Sequence, residues 1–226
     1  MDSLSRHEDY GQESLDESQL ATNPIDQFRD WLVSAEEAGI YEPNAFVLST
    51  VTSANTPSSR TVLLKGVEHN GFVFFTNFSS RKGQAIEQNP QVSAVFGWYS
   101  IYRQVLIEGK VERVSEDDSE EYFHSRPHES QVAAWSSRQS QPIESRSKLD
   151  EQFDEALSRF EGQVVPKPDY WGGYRIIPSR IEFWKGRSNR MHDRIAFART
   201  SEADSWKVTR LQPYVSLLLL PARLTS

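Results

Sequence analysis

Segment 103–114 carries the pattern that most restricts the fold, because its apolar or small residues recur at every second position. Val105, Ile107, Gly109 and Val111 share this spacing. A β-strand points alternate side chains to opposite faces of a sheet, so the spacing predicts a strand with one face in a core. This one-sided burial is typical of antiparallel sheets.

Further runs with strand-like composition occur on both sides of this segment. They are residues 46–52, 60–65, 72–76, 91–98, 170–177, 180–184, 195–199 and 205–210. Residues 55–58 and 69–71 carry the Asn, Pro and Gly residues of turns between three of them. Short helices are predicted between the strands, the first opening at Asn23-Pro24 and ending at Gly39. The predicted fold class is α+β, mainly antiparallel β, built on a β-barrel with peripheral short helices.

Charge is spread unevenly along the chain. The net charge is −7, yet residues 1–20 alone contribute −5. We therefore expect a flexible acidic N-terminal arm over 1–22, one domain over 23–213 and an atypical apolar tail over 214–226. The near-neutral body argues against a nucleic-acid partner, which needs a basic face. The chain has no cysteine, no secretory signal and no apolar run long enough to span a membrane, so a cytoplasmic location without a membrane partner is expected.

Residues 183–194 are the densest cluster of chemistry-bearing side chains. They hold three arginines, a histidine and a tryptophan, and strand-like runs lie on either side. A hairpin is predicted whose long loop presents Arg190, Met191, His192 and Asp193. Arginine offers a planar fork for phosphate or for stacking, and histidine exchanges protons near neutral pH. A solvated basic hairpin tip is the competing interpretation.

Two other groups of cations are suited to anions. Arg60 and Lys65 stand at the ends of one predicted strand, and Arg81 and Lys82 begin a helix after two serines. A helix start offers free N–H groups and a favourable dipole, so a phosphate site is predicted there. An ordinary first turn of a helix is the alternative.

The second group comprises Tyr122, Arg126 and Ser130, which are spaced four residues apart. They would share a face in a continuous helix, although Pro127 interrupts it. This donor trio also fits a phosphate, and a solvated helix face is the alternative. His124 and His128 have the spacing of zinc ligands, but no third ligand is evident, so no metal is predicted.

Taken together, the motifs resemble those of the pyridoxamine/pyridoxine 5′-phosphate oxidase family. The matching fragments, in order over roughly residues 23–213, are Arg60-Thr-Val-Leu-Leu-Lys65, Phe75-Thr76-Asn77 with Ser80-Arg81-Lys82, Arg103-Gln104-Val105, Tyr122-Phe-His-Ser-Arg126-Pro with Ser130-Gln131, Gln139-Ser140, Trp171-Gly-Gly, and Glu182-Phe-Trp184 with Arg190-Met-His192-Asp-Arg194. Each fragment is weak alone, and the ordered set is specific.

The resemblance implies a split β-barrel of the FMN-binding type and a homodimer with FMN at the interface. By position, the implied FMN ligands from one subunit are Arg60, Lys65, Thr76, Arg81, Lys82 and Gln104, with Phe75 contributing through its backbone. The remaining implied FMN contacts are Gln139, Ser140, Trp184 and Arg194. The implied clamp for the substrate phosphate is Lys65, Tyr122, Arg126 and Ser130, and the implied catalytic residues over the pyridine ring are Arg190 and His192.

The implied activity is the FMN-dependent oxidation of pyridoxamine or pyridoxine 5′-phosphate to pyridoxal 5′-phosphate, with dioxygen as acceptor and hydrogen peroxide as product. Tyr10 aligns with a family tyrosine that helps to close the site, whereas His7 stands where an arginine is expected and Arg6 is the nearby substitute. Two alternatives remain: a related flavin oxidase for another aromatic substrate, and a silent protein that binds FMN or pyridoxal phosphate.

Overall fold

The computed structural model describes residues 9–68 and 70–213, and antiparallel strands dominate this part of the chain. The strands are β1 Ala45–Val51, β2 Pro57–Leu63, β3 Gly66–Val67, β4 Phe72–Asn77, β5 Gln91–Trp98, β6 Arg103–Arg113, β7 Trp171–Lys185, β8 Asp193–Ala198 and β9 Lys207–Arg210. The helices are α1 Pro24–Glu37, α2 Arg81–Gln88, α3 Glu116–Ser125, α4 His128–Ser136 and α5 Arg146–Arg159. The predicted α+β class is confirmed.

All strand pairs belong to one curled sheet with the order β2-β1-β5-β6-β7-β4-β3. The first half of β7 pairs with β4 and its second half pairs with β8, which in turn pairs with β9. β2 also approaches β4, so the sheet curls towards a half-barrel. The predicted split β-barrel is confirmed in this shape.

A core of aromatic and aliphatic side chains fills the concave side of the sheet. Phe28 of α1 packs edge-to-face against Phe72 and Phe96, with ring centroids 4.9 and 4.8 Å apart. Asn23 caps α1, since its side chain accepts a hydrogen bond from the Ile25 N–H. The predicted helix is confirmed, and its buried residues pack into the core.

The separate strands predicted over 170–177 and 180–184 are wrong, because β7 runs through both. The strand absorbs Pro178 and Ser179 as a bulge: Gly109 pairs with Pro178, whereas Glu108 pairs with Arg180. A Cβ on Gly109 would lie 2.1 Å from the Ile177 carbonyl oxygen, so only glycine fits opposite the bulge. One bent strand therefore connects the two ends of the sheet.

The predicted boundaries of the second strand also shift. β2 begins at Pro57, inside the predicted turn 55–58, and ends at Leu63. Lys65 consequently lies outside β2, although its N–H donates to the Val73 carbonyl at 2.8 Å. His69 of the other predicted turn lies outside the described residues.

The arm falls only partly within the described residues, and the tail lies outside them. Residues 9–22 lie beside the β7–β8 hairpin and include one 3₁₀ turn, Glu17–Gln19. Arg6 and His7 lie outside the described range, as does the whole apolar tail 214–226. No helix in the described residues has the length and apolar character needed to cross a membrane.

Candidate active site

A cavity of about 680 Å³ opens between β2, β4 and helices α2, α3 and α4. It brings together many residues that were predicted from widely separated motifs. Those lining it are Arg60, Lys65, Phe75, Thr76, Lys82, Tyr122, Arg126, Ser130 and Gln139. The curl of the sheet is what joins them, because β2 and β4 lie apart in the strand order.

Arg60 and Lys82 line this cavity, and Arg81 lies close enough for its charge to act on Arg60. We call Arg60, Arg81 and Lys82 the cation cradle. Arg60 Nη1 donates to the Leu48 carbonyl and to Thr50 Oγ1, both at 3.0 Å. Burial and the charge of Arg81 lower the pKa of Arg60. Arg81 itself is exposed at the first position of α2.

Lys82 is the most strongly perturbed member of the cradle. Its Nζ donates to Thr76 Oγ1 at 2.8 Å and to Gln139 Oε1 at 3.1 Å. Burial and the charge of Arg60 lower the pKa of Lys82 to about 8. Within the described residues no carboxylate pairs with any cradle cation. A phosphate would supply the missing negative charge and accept charge-assisted hydrogen bonds, so the cradle fits a phosphate-bearing cofactor such as FMN.

Tyr122, Arg126 and Ser130 form a second donor group on the same cavity. The predicted interruption at Pro127 is confirmed, because α3 ends at Ser125 and α4 starts at His128. The Arg126 side chain bridges this break, because its Nη2 donates to the Ser130 carbonyl in α4 at 2.6 Å. Burial lowers the pKa of Arg126 despite the nearby Tyr122.

Aromatic rings that stack on one another line part of the cavity. Phe75 stacks on Tyr122 with centroids 3.9 Å apart and an interplanar angle of 18°, and on Trp171 at 5.5 Å. The Arg126 guanidinium lies 4.8 Å from the Trp171 ring centroid. Gly173 permits this arrangement, since a Cβ there would lie 2.8 Å from the Phe75 ring. The prediction omitted the ring of Trp171 from the site, although the Trp-Gly-Gly fragment was its signal.

Most of the remaining predicted residues lie at the other end of β7, around the β7–β8 hairpin. Gln104 lies opposite Trp184 in the β6–β7 register. The prediction grouped Gln104 with the cation cradle and Gln139 with Trp184. Within one chain, Gln139 lies beside Lys82 of the cradle and Gln104 lies beside Trp184. Ser140, with φ of 73°, lies in the loop after α4 and lines a neighbouring cavity of about 970 Å³ between α4 and α5.

His192 lies between two aromatic rings, with its centroid 4.8 Å from Trp184 and 5.5 Å from Tyr10. Its Nδ1 accepts a hydrogen bond from the Arg187 N–H at 3.1 Å. Burial and then the charge of Arg190 lower the pKa of His192. The ring is therefore neutral near pH 7, with its hydrogen on Nε2.

Arg190 is exposed at the tip of the hairpin loop, as predicted. Asn189 and Arg190 both have left-handed backbones, with φ of 56° and 60°. Two successive non-glycine residues in this region store strain, which is a frequent feature of functional loops. The loop thus holds Arg190 outward and His192 inward.

Asp193, by contrast, is not presented by the loop. It is the buried first residue of β8, and its Oδ1 accepts a hydrogen bond from Arg210 Nη1 at 2.6 Å. Arg194 is also buried and donates from Nε to Glu182 Oε1 at 2.7 Å. Burial alone would raise the pKa of Glu182, but hydrogen bonds from Arg194 and Arg180 outweigh it and lower that pKa.

No group of three or more histidine and carboxylate side chains in residues 9–68 and 70–213 is arranged to hold a metal ion. His124 instead contacts Glu120 on its own helix, with Nε2 and Oε1 3.0 Å apart.

Comparison with known sequences identifies the family to which this chain belongs. The profile described as pyridoxamine 5′-phosphate oxidase matches residues 32–160, and the profile of the pyridoxine 5′-phosphate oxidase C-terminal dimerisation region matches residues 171–213. The chain belongs to the pyridoxamine 5′-phosphate oxidase family. The predicted resemblance is thereby confirmed, and the family's C-terminal dimerisation region includes the hairpin.

Curated relatives in this oxidase family match over nearly the whole length. The pyridoxine/pyridoxamine 5′-phosphate oxidase of Rubrobacter xylanophilus is 51% identical over 91% of this chain and 94% of its own. That of Trichormus variabilis is 48% identical over 91% of this chain and 95% of its own.

Solved structures show the same fold. PhzG from Burkholderia lata, crystallised with tetrahydrophenazine-1-carboxylic acid, has a TM-score of 0.83 and 29% identity, covering 89% of this chain and 98% of its own. An FMN-binding protein from Nostoc punctiforme related to pyridoxamine 5′-phosphate oxidase has a TM-score of 0.66 at 14% identity, covering 86% and 100%. The latter likeness supports the fold alone.

Proposed function

We propose that this oxidase-family chain converts pyridoxamine 5′-phosphate or pyridoxine 5′-phosphate to pyridoxal 5′-phosphate, with FMN as cofactor. The observation that carries the proposal is the cavity with two separate anion-binding groups. The cation cradle has no carboxylate partner in the described residues, and the Tyr122, Arg126 and Ser130 group lies on the same cavity. One group suits the phosphate of FMN and the other the phosphate of the substrate.

FMN, when bound, would supply the ring that accepts a hydride and passes electrons to dioxygen, which gives hydrogen peroxide. The chain's own residues bind and orient. Phe75 and Tyr122 offer a stacked apolar wall for a flat ring, and Arg126 anchors the ester group. Such orientation brings the reacting carbon into position and lowers the entropic part of the barrier.

Arg190 and His192 would act over the substrate ring. The neutral His192 can donate from Nε2, since its Nδ1 is already an acceptor for Arg187. Arg190, held outward by the strained loop, would contribute a fixed positive charge. We assign both residues to substrate positioning and do not make His192 a general base.

A homodimer would unite the two halves of the site. One chain places Arg60 and Lys82 of the cradle on the cavity. The residues lining it do not include Gln104, Trp184, Arg190, His192 or Arg194. The hairpin that carries most of them belongs to the matched dimerisation region. We therefore propose that the hairpin of each subunit completes the cavity of the other, with FMN at the interface.

The first experiment measures flavin content and turnover on the purified protein. It should be yellow, should lose its flavin absorbance on anaerobic addition of pyridoxamine 5′-phosphate, and should consume oxygen in air. Arg190→Ala should lower kcat/KM about a hundredfold, because the loss of an orienting contact reduces the rate by about that factor. FMN affinity should change less than about threefold, because Arg190 is assigned to the substrate. Arg138→Ala, an exposed arginine beside the neighbouring cavity, is the matched control.

A substrate panel separates this function from its alternatives. The likeness to PhzG favours a test of bulkier aromatic acids, and the Tyr122, Arg126 and Ser130 group favours phosphorylated substrates. Equal rates with pyridoxamine and its 5′-phosphate would contradict the proposal. Flavin that stays oxidised with every substrate would instead indicate a silent binding protein.

A further inference from the structure

Residues 9–20, which we call the strap, cross the β7–β8 hairpin. Hydrogen bonds hold the strap at the loop of the hairpin and at its base. At the loop, the Ser188 N–H donates to the Gly11 carbonyl at 3.0 Å, and Ser188 Oγ donates to Asp9 Oδ1 at 2.5 Å. Between the two ends, Lys185 pairs with Glu13. The strap thus follows the hairpin along its length.

At the base of the hairpin, side chains satisfy both main-chain groups of Leu15. Its N–H donates to Asp193 Oδ2 at 2.9 Å, and its carbonyl accepts from Arg210 Nη2 at 2.7 Å. The Leu15 side chain is buried in the core. This residue is therefore the firmest attachment of the strap to the body.

Arg210 joins the strap to β8 through its whole guanidinium group. Besides its bond to Leu15, it donates to both carboxylate oxygens of Glu17, from Nε at 2.7 Å and Nη2 at 2.6 Å. Nη1 donates to Asp193 Oδ1 at 2.6 Å. A planar arginine fork suits such a bidentate arrangement, which lysine cannot reproduce.

Tyr10 lies on the fastened strap, beside the neighbouring rings of Trp184 and His192. Its ring centroid is 5.5 Å from that of His192 and 4.7 Å from that of Tyr102. A Cβ on Gly186 would lie 2.9 Å from the Tyr10 ring, so the glycine permits this close approach. The position of the strap consequently determines how far His192 is shielded from water.

We propose that Arg210 is a positioning residue for the hairpin site: it fastens the strap through Leu15 and Glu17, and the strap keeps Tyr10 over His192. Arg210 acts through other residues, since the bonds of its guanidinium within the described residues go to Leu15, Glu17 and Asp193. Only the consequence for turnover rests on the proposed function.

The decisive measurement is the pKa of His192 by NMR titration of the full-length protein, with His192→Gln used to assign its signal among the five histidines. Burial lowers this pKa, so release of the strap should raise it by about half a unit or more in both Arg210→Gln and Glu17→Gln. Direct electrostatics would instead shift it in opposite directions, because one variant loses a positive charge and the other a negative charge. Opposite shifts, or none, would overturn the proposal.

Two companion variants calibrate this result. Tyr10→Ala should raise the His192 pKa as well, since it removes the cover itself. Arg113→Gln, which breaks a comparable half-exposed pair with Glu87, should leave it unchanged. Should Arg210→Gln fail to fold, Glu17→Gln carries the test, because Asp193 keeps its arginine in that variant.

Turnover provides the readout that depends on the proposed function. Both strap variants should raise KM for pyridoxamine 5′-phosphate about fivefold or more, the usual size of coupling between two parts of a protein, with FMN affinity unchanged. A wild-type protein that oxidises no substrate would refute the proposed function and leave the titration valid. An unshifted His192 in an active enzyme would refute the strap alone.

Discussion

Helices α2 and α5 begin with the same local pattern, yet their cations have opposite surroundings. Each has a serine cap, Ser80 or Ser145, followed directly by an arginine. In α5, Arg146 pairs with Asp150 and Lys148 with Glu151, both at 2.8 Å. In α2, Arg81 and Lys82 have no carboxylate on their own helix within reach of such a pair, since Gln84, Ala85 and Ile86 occupy the corresponding positions.

The pKa values shift in opposite directions for this reason. The carboxylate of Glu151 raises the pKa of Lys148, whereas burial and the charge of Arg60 lower that of Lys82 to about 8. Basic residues at a helix start also oppose the helix dipole. α5 neutralises its cations internally, and the cradle at α2 retains a positive charge that an external anion would stabilise. The contrast indicates that a basic first turn predicts an anion site only where acids are missing nearby.

The largest expected effect comes from removing the charges of α2. Arg81→Gln combined with Lys82→Gln should weaken FMN binding about a thousandfold, because two charge-assisted hydrogen bonds contribute about 4 kcal/mol together. Titration of the apoprotein followed by flavin fluorescence measures the change.

The matched control is Arg146→Gln combined with Lys148→Gln, which removes the same charges from α5. FMN affinity should then change less than about twofold, because exposed pairs contribute little. If the two double variants weaken FMN binding equally, the distinction between the helices is wrong.

The second effect is a dependence of FMN affinity on pH. Lys82 loses its proton near pH 8 in the free protein, and a bound phosphate dianion would raise that pKa. The complex then holds more protons, so affinity should fall as pH rises above about 8, by at most tenfold per pH unit. Dissociation constants between pH 7 and 9.5 measure the slope, which Lys82→Gln should flatten.

The stability of the apoprotein should change with pH in the opposite direction. A lysine in the unfolded chain keeps its ordinary pKa of 10.5, so between pH 8 and that value the unfolded state binds more protons than the folded one. The free energy of unfolding should therefore rise over this range. Denaturant titrations at several pH values provide the measurement, and a fall in stability would show that Lys82 is not desolvated.

The smallest effect comes from giving α2 the internal acid that α5 has. Gln84 is exposed and lies three residues after Arg81, so Gln84→Glu should form an i,i+3 pair of about 0.4 kcal/mol. FMN affinity should drop about twofold as the acid competes with the phosphate. Gln88→Glu, the same change at the far end of the helix, should have no measurable effect in the same titration.

Features of the chain that depend on near neighbours were predictable from the sequence. Alternation identified β6, Asn23-Pro24 identified the start of α1, and the two serines before Arg81 identified the start of α2. Each depends on residues within one or two turns of each other, where spacing alone fixes the geometry. The ordered motifs also identified the family.

Contacts between distant segments were not predictable in this way. The sequence predicted that Asp193 is a loop residue, whereas in the structure its carboxylate accepts hydrogen bonds from Arg210 and from the Leu15 N–H. The prediction also treated Ser179 as a break between strands, and Gly109 on β6 turned it into a bulge.

The sequence by itself determined which side chains carry charge, where α1, α2 and β6 begin, and which family the motifs resemble. Only the tertiary structure decided that Lys82 is buried beside Arg60, because these two residues lie on segments far apart in the chain. Coulombic attraction and desolvation act through space, so the same Ser-Arg pattern gives a solvated helix start in α5 and part of the cation cradle in α2.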